Sequence, residues 1–186
     1  MARHWSDYVQ EDPMNVSELK ACLHASPCIL TEVYEGWTLF HFLALSETLD
    51  VSLLSSFLQT SSSSQPAPEH VQDEKGNTFL HILCANTVLD LSLFIKSLSK
   101  RDWSLANSCG QTPLHVYCKN TMLNAKALQS LVDCSSIDVM KCDENGDTAL
   151  HILSENDAGM TSTTLQSMTK HVGNLNLKNQ VSQKEV

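Results

Sequence analysis

The sequence predicts an all-α chain, a solenoid of stacked helix-turn-helix pairs, and three observations predict it. The pattern G-x-T-x-x-H occurs four times, at 36–41, 76–81, 110–115 and 146–151. Its glycines, Gly36, Gly76, Gly110 and Gly146, are separated by 40, 34 and 36 residues, a period at which pairs of short elements stack because no single pair can hide its own apolar side. Behind each pattern, apolar residues return at helical rather than alternating spacing.

The first helix of each pair starts two residues after its glycine, at Thr38, Thr78, Thr112 or Thr148. A threonine hydroxyl accepts a hydrogen bond from the unpaired amides of a first helical turn, so each threonine is a candidate N-cap. Pro113 follows Thr112 at the first helical position, where its missing N–H costs nothing. Phe40, Leu80, Leu114 and Leu150 are followed three residues later by Leu43, Leu83, Tyr117 and Leu153, which makes one apolar face. The next slot holds Ala44, Cys84, Cys118 and Ser154, all small, as close passage of a neighbouring helix requires. Ten residues after each glycine come Ser46, Asn86, Asn120 and Asn156; asparagine substitutes for glycine in the left-handed conformation that ends helices, so the first helix is expected to stop there.

The second helix is expected behind Asp50, Asp90, Asn124 and Thr161, all good N-caps. Its apolar stripes are Val51, Leu54, Phe57 and Leu58; Leu91, Phe94, Ile95 and Leu98; Ala127, Leu128, Leu131 and Val132; and Leu165, Met168 and Val172. Since the distance from glycine to second cap is nearly constant, the unequal spacing arises after helix two. There the first unit carries "TSSSSQPAPEH", 60–70, a Ser/Pro tract expected to form a surface loop and open to phosphorylation.

With 186 residues and 42% hydrophobic content, the chain has the size and apolar content of one domain. Twelve Lys and Arg against 21 Asp and Glu give a net charge of −9, which argues against a general grip on nucleic-acid phosphates and for a basic protein partner. No window approaches eighteen apolar residues and the opening "MARHWSDYVQEDPM" lacks the apolar stretch of a secretory signal, so an intracellular protein, cytoplasmic or nuclear, is expected, without a membrane partner. Seven cysteines, with no C-x-x-C pair, fit neither a disulfide framework nor a zinc finger, and are expected to act as small buried apolar residues.

His41, His81, His115 and His151 fall one per unit without close Cys, Asp or Glu, so they are expected to be structural and not metal ligands. Cys118 lies three residues after His115, the spacing of a nucleophile and base on one helix, but the same slot holds Ala44 or Ser154 elsewhere. No phosphate loop, nucleophile elbow or dinucleotide fingerprint occurs, so neither an enzyme, a cofactor nor a small-molecule substrate is expected.

With G-x-T-x-L-H ahead of two short helices, the chain resembles the ankyrin-repeat family over about residues 17–179. "GQTPLH" matches that family's T-P-L-H core, and "IDVMKCDENGDTALH" resembles its longer D-V-N-x-x-D-x-x-G-x-T-x-L-H stretch. The resemblance implies a flexible 1–14, a repeat domain at 15–180 and a tail at 181–186. Within the domain it implies a cap at about 15–32, repeats at 33–69, 70–106, 107–142 and 143–173, and a partial fifth at 174–180, with short hairpin-like connecting loops. It further implies that the four histidines bond backbone near the turns and tie neighbouring repeats together. Where the family carries alanine this chain has Leu43, Leu83, Tyr117 and Leu153, and asparagine replaces its inter-helix glycine, so altered helix spacing and curvature are expected.

Binding in such stacks falls on the hairpin tips and the inner helix face. The tip residues are Tyr34, Glu35 and Trp37; Glu74, Lys75 and Asn77; Ser108, Cys109 and Gln111; and Glu144, Asn145 and Asp147. Trp37 is either an interface anchor or a cover for a neighbouring hairpin, and Trp103, counted back from Gly110, takes a buried slot. Glu35, Glu74, Glu144 and Asp147 place acid on three tips, which suits a Lys/Arg-rich segment such as a nuclear localisation sequence or histone tail. Two functional forms are expected of a non-enzymatic adaptor or inhibitor. One is a sequestering regulator, since "GNTFLH" and "GQTPLH" resemble the inhibitors of the kappa-B family that hold basic transcription factors; the other is a recruiting module of a larger scaffold or ubiquitin-ligase adaptor.

Overall fold

Thr38, Thr78, Thr112 and Thr148 each stand in extended backbone directly before a helix, and each forms a capping box with the histidine three residues on. That local chemistry repeats through a computed structural model that describes residues 21, 32–34, 36–47, 49, 51–60, 67, 70–134, 137–157 and 159–170, which are mostly helical.

An antiparallel hairpin of β1 (Val33–Tyr34) and β2 (Trp37–Thr38) pairs Val33 with Thr38 and Tyr34 with Trp37. There follow α1 (Leu39–Leu45), α2 (Val51–Thr60), α3 (Phe79–Ala85), a 3-10 turn (Leu91–Leu93), α4 (Ile95–Leu98), α5 (Pro113–Lys119), α6 (Ala125–Val132), α7 (Ala149–Ser154) and α8 (Ser162–Thr169). The predicted flexible start, the cap apart from Ala21 and Glu32, Glu35, Asp50, Cys22, Cys28, most of the Ser/Pro tract, Val172, partial fifth unit and tail lie outside the described residues.

Helices that follow the glycines pack on one another in chain order, α1 on α3, α3 on α5 and α5 on α7. Phe40, Leu80 and Leu114 are buried between them with Leu43, Leu83, Tyr117 and Leu153, and the Phe40 and Phe79 rings lie 5.2 Å apart. Ala44, Cys84 and Cys118, the small residues of that face, are buried as well. Ser154, the fourth of that series, is exposed and Leu150 only half-buried, because no described helix packs on the far side of α7.

The second set of helices buries Leu53, Leu54, Phe57 and Leu58 on α2, and Ala127, Leu128, Leu131 and Val132 on α6. Each of these Leu, Phe and Val side chains contributes about 1.5–3 kcal/mol by leaving water. Asp90, Asn124 and Thr161 cap as their sequence predicts, accepting from the amides of Ser92, Lys126 and Thr164. Two expectations for this second set fail. Behind Asp90 the chain forms a 3-10 turn and then the short α4 instead of one helix, although Leu91, Phe94, Ile95 and Leu98 are all buried. On α8, Leu165 is exposed and the buried face is Thr164, Ser167 and Met168: the Thr164 hydroxyl turns inward to the Gly159 carbonyl at 2.7 Å.

Asparagine does not end the first helices by a left-handed turn. Asn86 and Asn120 are C-caps in extended backbone, at φ −66° and −70°. Their side chains act across the stack instead. Asn86 Nδ2 donates to the Ala44 carbonyl at 3.1 Å, Asn120 Nδ2 to Cys84 and Asn86 at 2.9 Å, and Asn156 Nδ2 to Cys118 and Asn120 at 2.9 Å. Ala44, Cys84 and Cys118 stand in the last turns of α1, α3 and α5, so each asparagine satisfies a carbonyl that its own helix leaves unpaired. The amide oxygen meanwhile holds the inter-helix turn, accepting from Val88 at 2.8 Å in one case and from Met122 at 2.8 Å in the next.

Candidate functional site

Three residues before Gly76, Gly110 and Gly146 stand Asp73, Asn107 and Asp143, short polar side chains that fold back on their own loop. Asp73 Oδ1 accepts from Lys75 and Asn77 at 2.9 and 2.7 Å. Asn107 Oδ1 accepts from Cys109 and Gln111 at 3.0 Å each, and Asp143 Oδ1 from Asn145 and Asp147 at 2.8 and 3.0 Å. Backbone bonds of 2.8 Å from Asp73 to Asn77, Asn107 to Gln111 and Asp143 to Asp147 close the same loops.

The glycine at each tip takes a positive φ, 73° at Gly76 and Gly110, where a side chain is strained. Space adds a second constraint. A Cβ on Gly76 would lie 2.7 Å from the Ser108 amide nitrogen, and one on Gly110 2.8 Å from that of Glu144. Those amides come close because they bond to the preceding tip: Ser108 N–H donates to the Lys75 carbonyl at 3.0 Å, and Glu144 N–H to Cys109 at 3.1 Å. The tips at Gly76, Gly110 and Gly146 are therefore joined backbone to backbone.

The histidines fix the tips from below. Backbone N–H of Thr38, Thr78, Thr112 and Thr148 donates to Nδ1 of His41, His81, His115 and His151 at 3.0 to 3.2 Å, with the threonine Oγ1 2.8 to 2.9 Å from the same nitrogen. An amide only donates, so Nδ1 accepts and the ring proton sits on Nε2. From there His41 donates to Asn77 O at 3.1 Å and His81 to Gln111 O at 2.9 Å, while His115 faces Lys141 O at 3.0 Å and Asp147 O at 3.2 Å. Burial pushes His81 down to about 4 and lowers His41 and His115 as well, against the opposing pull of those carbonyls.

The predicted tip residues divide by this geometry. Asn77 and Gln111 are half-buried and bridge the tips: Asn77 Oδ1 accepts from Asn107 Nδ2 at 3.0 Å, and Gln111 Nε2 donates to Asp143 Oδ2 at 3.3 Å. Asp147 is half-buried, with its N–H on Asp143. Exposed side chains are those of Tyr34, Glu74, Lys75, Ser108, Cys109, Glu144 and Asn145. Trp37 is half-buried, its ring 5.7 Å from His41 and 5.4 Å from Phe42, so it covers its own helix rather than a neighbouring hairpin. Trp103 is buried as its position predicts, and Nε1–H donates to Leu98 O at 3.1 Å.

Between the tips, α7 and the turn after α5 lies a groove of about 500 Å³. Asp143, Asp147, Glu155 and Asp157 line it together with Lys119 and Ile152.

Of the five cysteines among the described residues, Cys84 and Cys118 are buried as expected; Cys109 and Cys142 are exposed, because they lie on the tips and not on a helix face. Burial raises the Cys118 thiol to about 12, and both nitrogens of His115 are engaged, so that pair does not supply a thiolate at neutral pH. Among the described residues no group of three or more His, Cys, Asp or Glu gathers closely enough to hold a metal ion, and no helix is long and apolar enough to cross a membrane.

No protein-family model matches the chain, and no curated protein matches it. Asp73, Asn107 and Asp143 are the residues that reading by glycine, threonine and histidine passed over. Their signal is an Asp or Asn three before the glycine, present in units two to four and replaced by Val33 in the first, where β1 and β2 pair instead.

Proposed function

We propose that the chain is a solenoid of four ankyrin-like repeats that works by non-covalent protein binding, as an adaptor or inhibitor. One observation carries this reading. The exposed side chains of Glu74, Lys75, Ser108, Cys109, Glu144 and Asn145 project from loops held both by their own Asp or Asn and by bonds to the adjacent tip. A surface already ordered before contact keeps more of its interaction energy for affinity, which is what a binding module requires. Glu74 and Glu144 on that surface, with a net charge of −9 for the chain, favour a basic partner segment and disfavour nucleic acid.

The test is capture of partner proteins from a cell extract by wild type and by a Glu74→Lys, Glu144→Lys double variant, read by quantitative mass spectrometry. Both residues are exposed, so the variant is expected to fold. The reading expects a defined set of basic proteins lost on charge reversal. A captured set that is identical for the two chains overturns it.

A further inference from the structure

The inner helix face has its own pattern, and its two ends differ in chemistry. Six residues after each glycine stands an apolar side chain, Phe42, Ile82, Val116 or Ile152, and all four are half-buried, one flank against the core and one toward solvent. Because α1, α3, α5 and α7 pack in that order, the four form a row. Nine residues after each glycine the face changes along the row, from Leu45 and Ala85 to Lys119 and Glu155, all exposed. At the α1 end the row is flanked by Trp37, its ring tilted against that of Phe42 at 5.4 Å, and by Leu45, which is 57% exposed. At the α7 end Ile152 lies in the groove whose walls carry Asp147, Glu155 and Asp157, with Asp143 bound into its turn and Lys119 a cation in the same lining.

Resting on the protein-binding reading above, we propose that this face seats one segment of a partner protein that is apolar at one end and rich in lysine or arginine at the other. The apolar end lies over Phe42, Leu45 and Ile82, and the basic end over Ile152 between Asp147, Glu155 and Asp157. The apolar row supplies contact area, and the carboxylates supply direction, because charge complementarity fixes register and orientation more than raw affinity. In the opposite orientation apolar side chains would cover carboxylates and strip them of water without compensation. A nucleic-acid strand would bring phosphates against the same acids.

The experiment uses two short synthetic peptides of one composition, one with an apolar block followed by a basic block and one scrambled, titrated into the full chain with methyl-labelled isoleucine and leucine. The blocked peptide is expected to bind more tightly than the scrambled one. A nitroxide on its basic end is expected to broaden the Ile152 methyl signals, and a nitroxide on its apolar end those of Leu45 and Ile82. Glu155→Lys with Asp157→Lys should weaken binding roughly tenfold and flatten its salt dependence, whereas Leu45→Ser should weaken it with the salt dependence unchanged.

Reversed or unoriented broadening, or a Kd no tighter than about 1 mM for the blocked peptide, overturns the proposal. So does self-association of the chain that Leu45→Ser abolishes, since the occupant would then be a second copy. If Glu74 and Glu144 still govern partner capture while the peptide ignores this face, only the seat assigned here falls; if neither holds, the binding reading falls with it.

Discussion

A methyl group on Gly76 would press on the Ser108 backbone at 2.7 Å, while the atom nearest one on Gly36 belongs to the Glu74 side chain, at 3.3 Å. Both glycines have positive φ, so both alanine variants carry the strain of the left-handed region, about 1–2 kcal/mol. Gly76→Ala must in addition move a backbone that bonds to Lys75, and is expected to cost about 2–4 kcal/mol in urea unfolding, clearly more than Gly36→Ala. Equal costs would mean that the tips are not in contact. The histidines make a second prediction at this scale. In the unfolded chain His81 takes a proton near its ordinary 6.5, but in the fold burial delays protonation to about 4. Between those values the unfolded state binds more protons, so stability falls as pH drops from 6.5 toward 4 and levels off below, by at most about 3 kcal/mol from this residue. His41 and His115, lowered for the same reason, steepen that fall. Thermal unfolding of wild type and His81→Gln across this window checks it: the variant is weaker at pH 7 and shows the shallower decline.

At the scale of the element, the inter-helix turn separates two accounts of one residue. If asparagine merely tolerated a left-handed cap, Asn120→Gly would be neutral or stabilising. Asn120 is instead extended, buried, and bonded to Cys84 O, Asn86 O and Met122 N. Its loss leaves the Cys84 carbonyl unpaired inside the protein, so Asn120→Gly and Asn120→Ala are each expected to cost about 2–3 kcal/mol in guanidinium unfolding. Asn120→Asp, which turns an acceptor toward those carbonyls, is expected to cost at least as much. This residue also marks how far the sequence reads. Glycine, threonine and histidine were legible as helix-start marks because much of their work is done within three residues: a turn, a cap, a capping partner. Asparagine's partners lie 34 and 36 residues away, and nothing local reveals them. The same holds for Asn77 and Gln111, read from the chain as tip contacts yet bonded to the next tip. The break between the Leu91–Leu93 turn and α4 was equally invisible, since the stripe of Leu91, Phe94, Ile95 and Leu98 fits either form.

At the scale of the whole molecule the two kinds of bond run in opposite directions. Histidine donates forward, from His41 to Asn77 and from His81 to Gln111; asparagine donates backward, from Asn86 to Ala44 and from Asn120 to Cys84. Every joint thus draws one donor from each side and asks nothing of residues further away. Remove residues 77–110 and the chain runs from Gly76 straight into Gln111 and Thr112, with His41 left facing the Gln111 carbonyl and Asn120 facing Ala44. The mating parts on either side of such a cut are the same parts. A chain shortened by that length is expected to bring a histidine donor and an asparagine donor to the new joint, as at the joints it replaces.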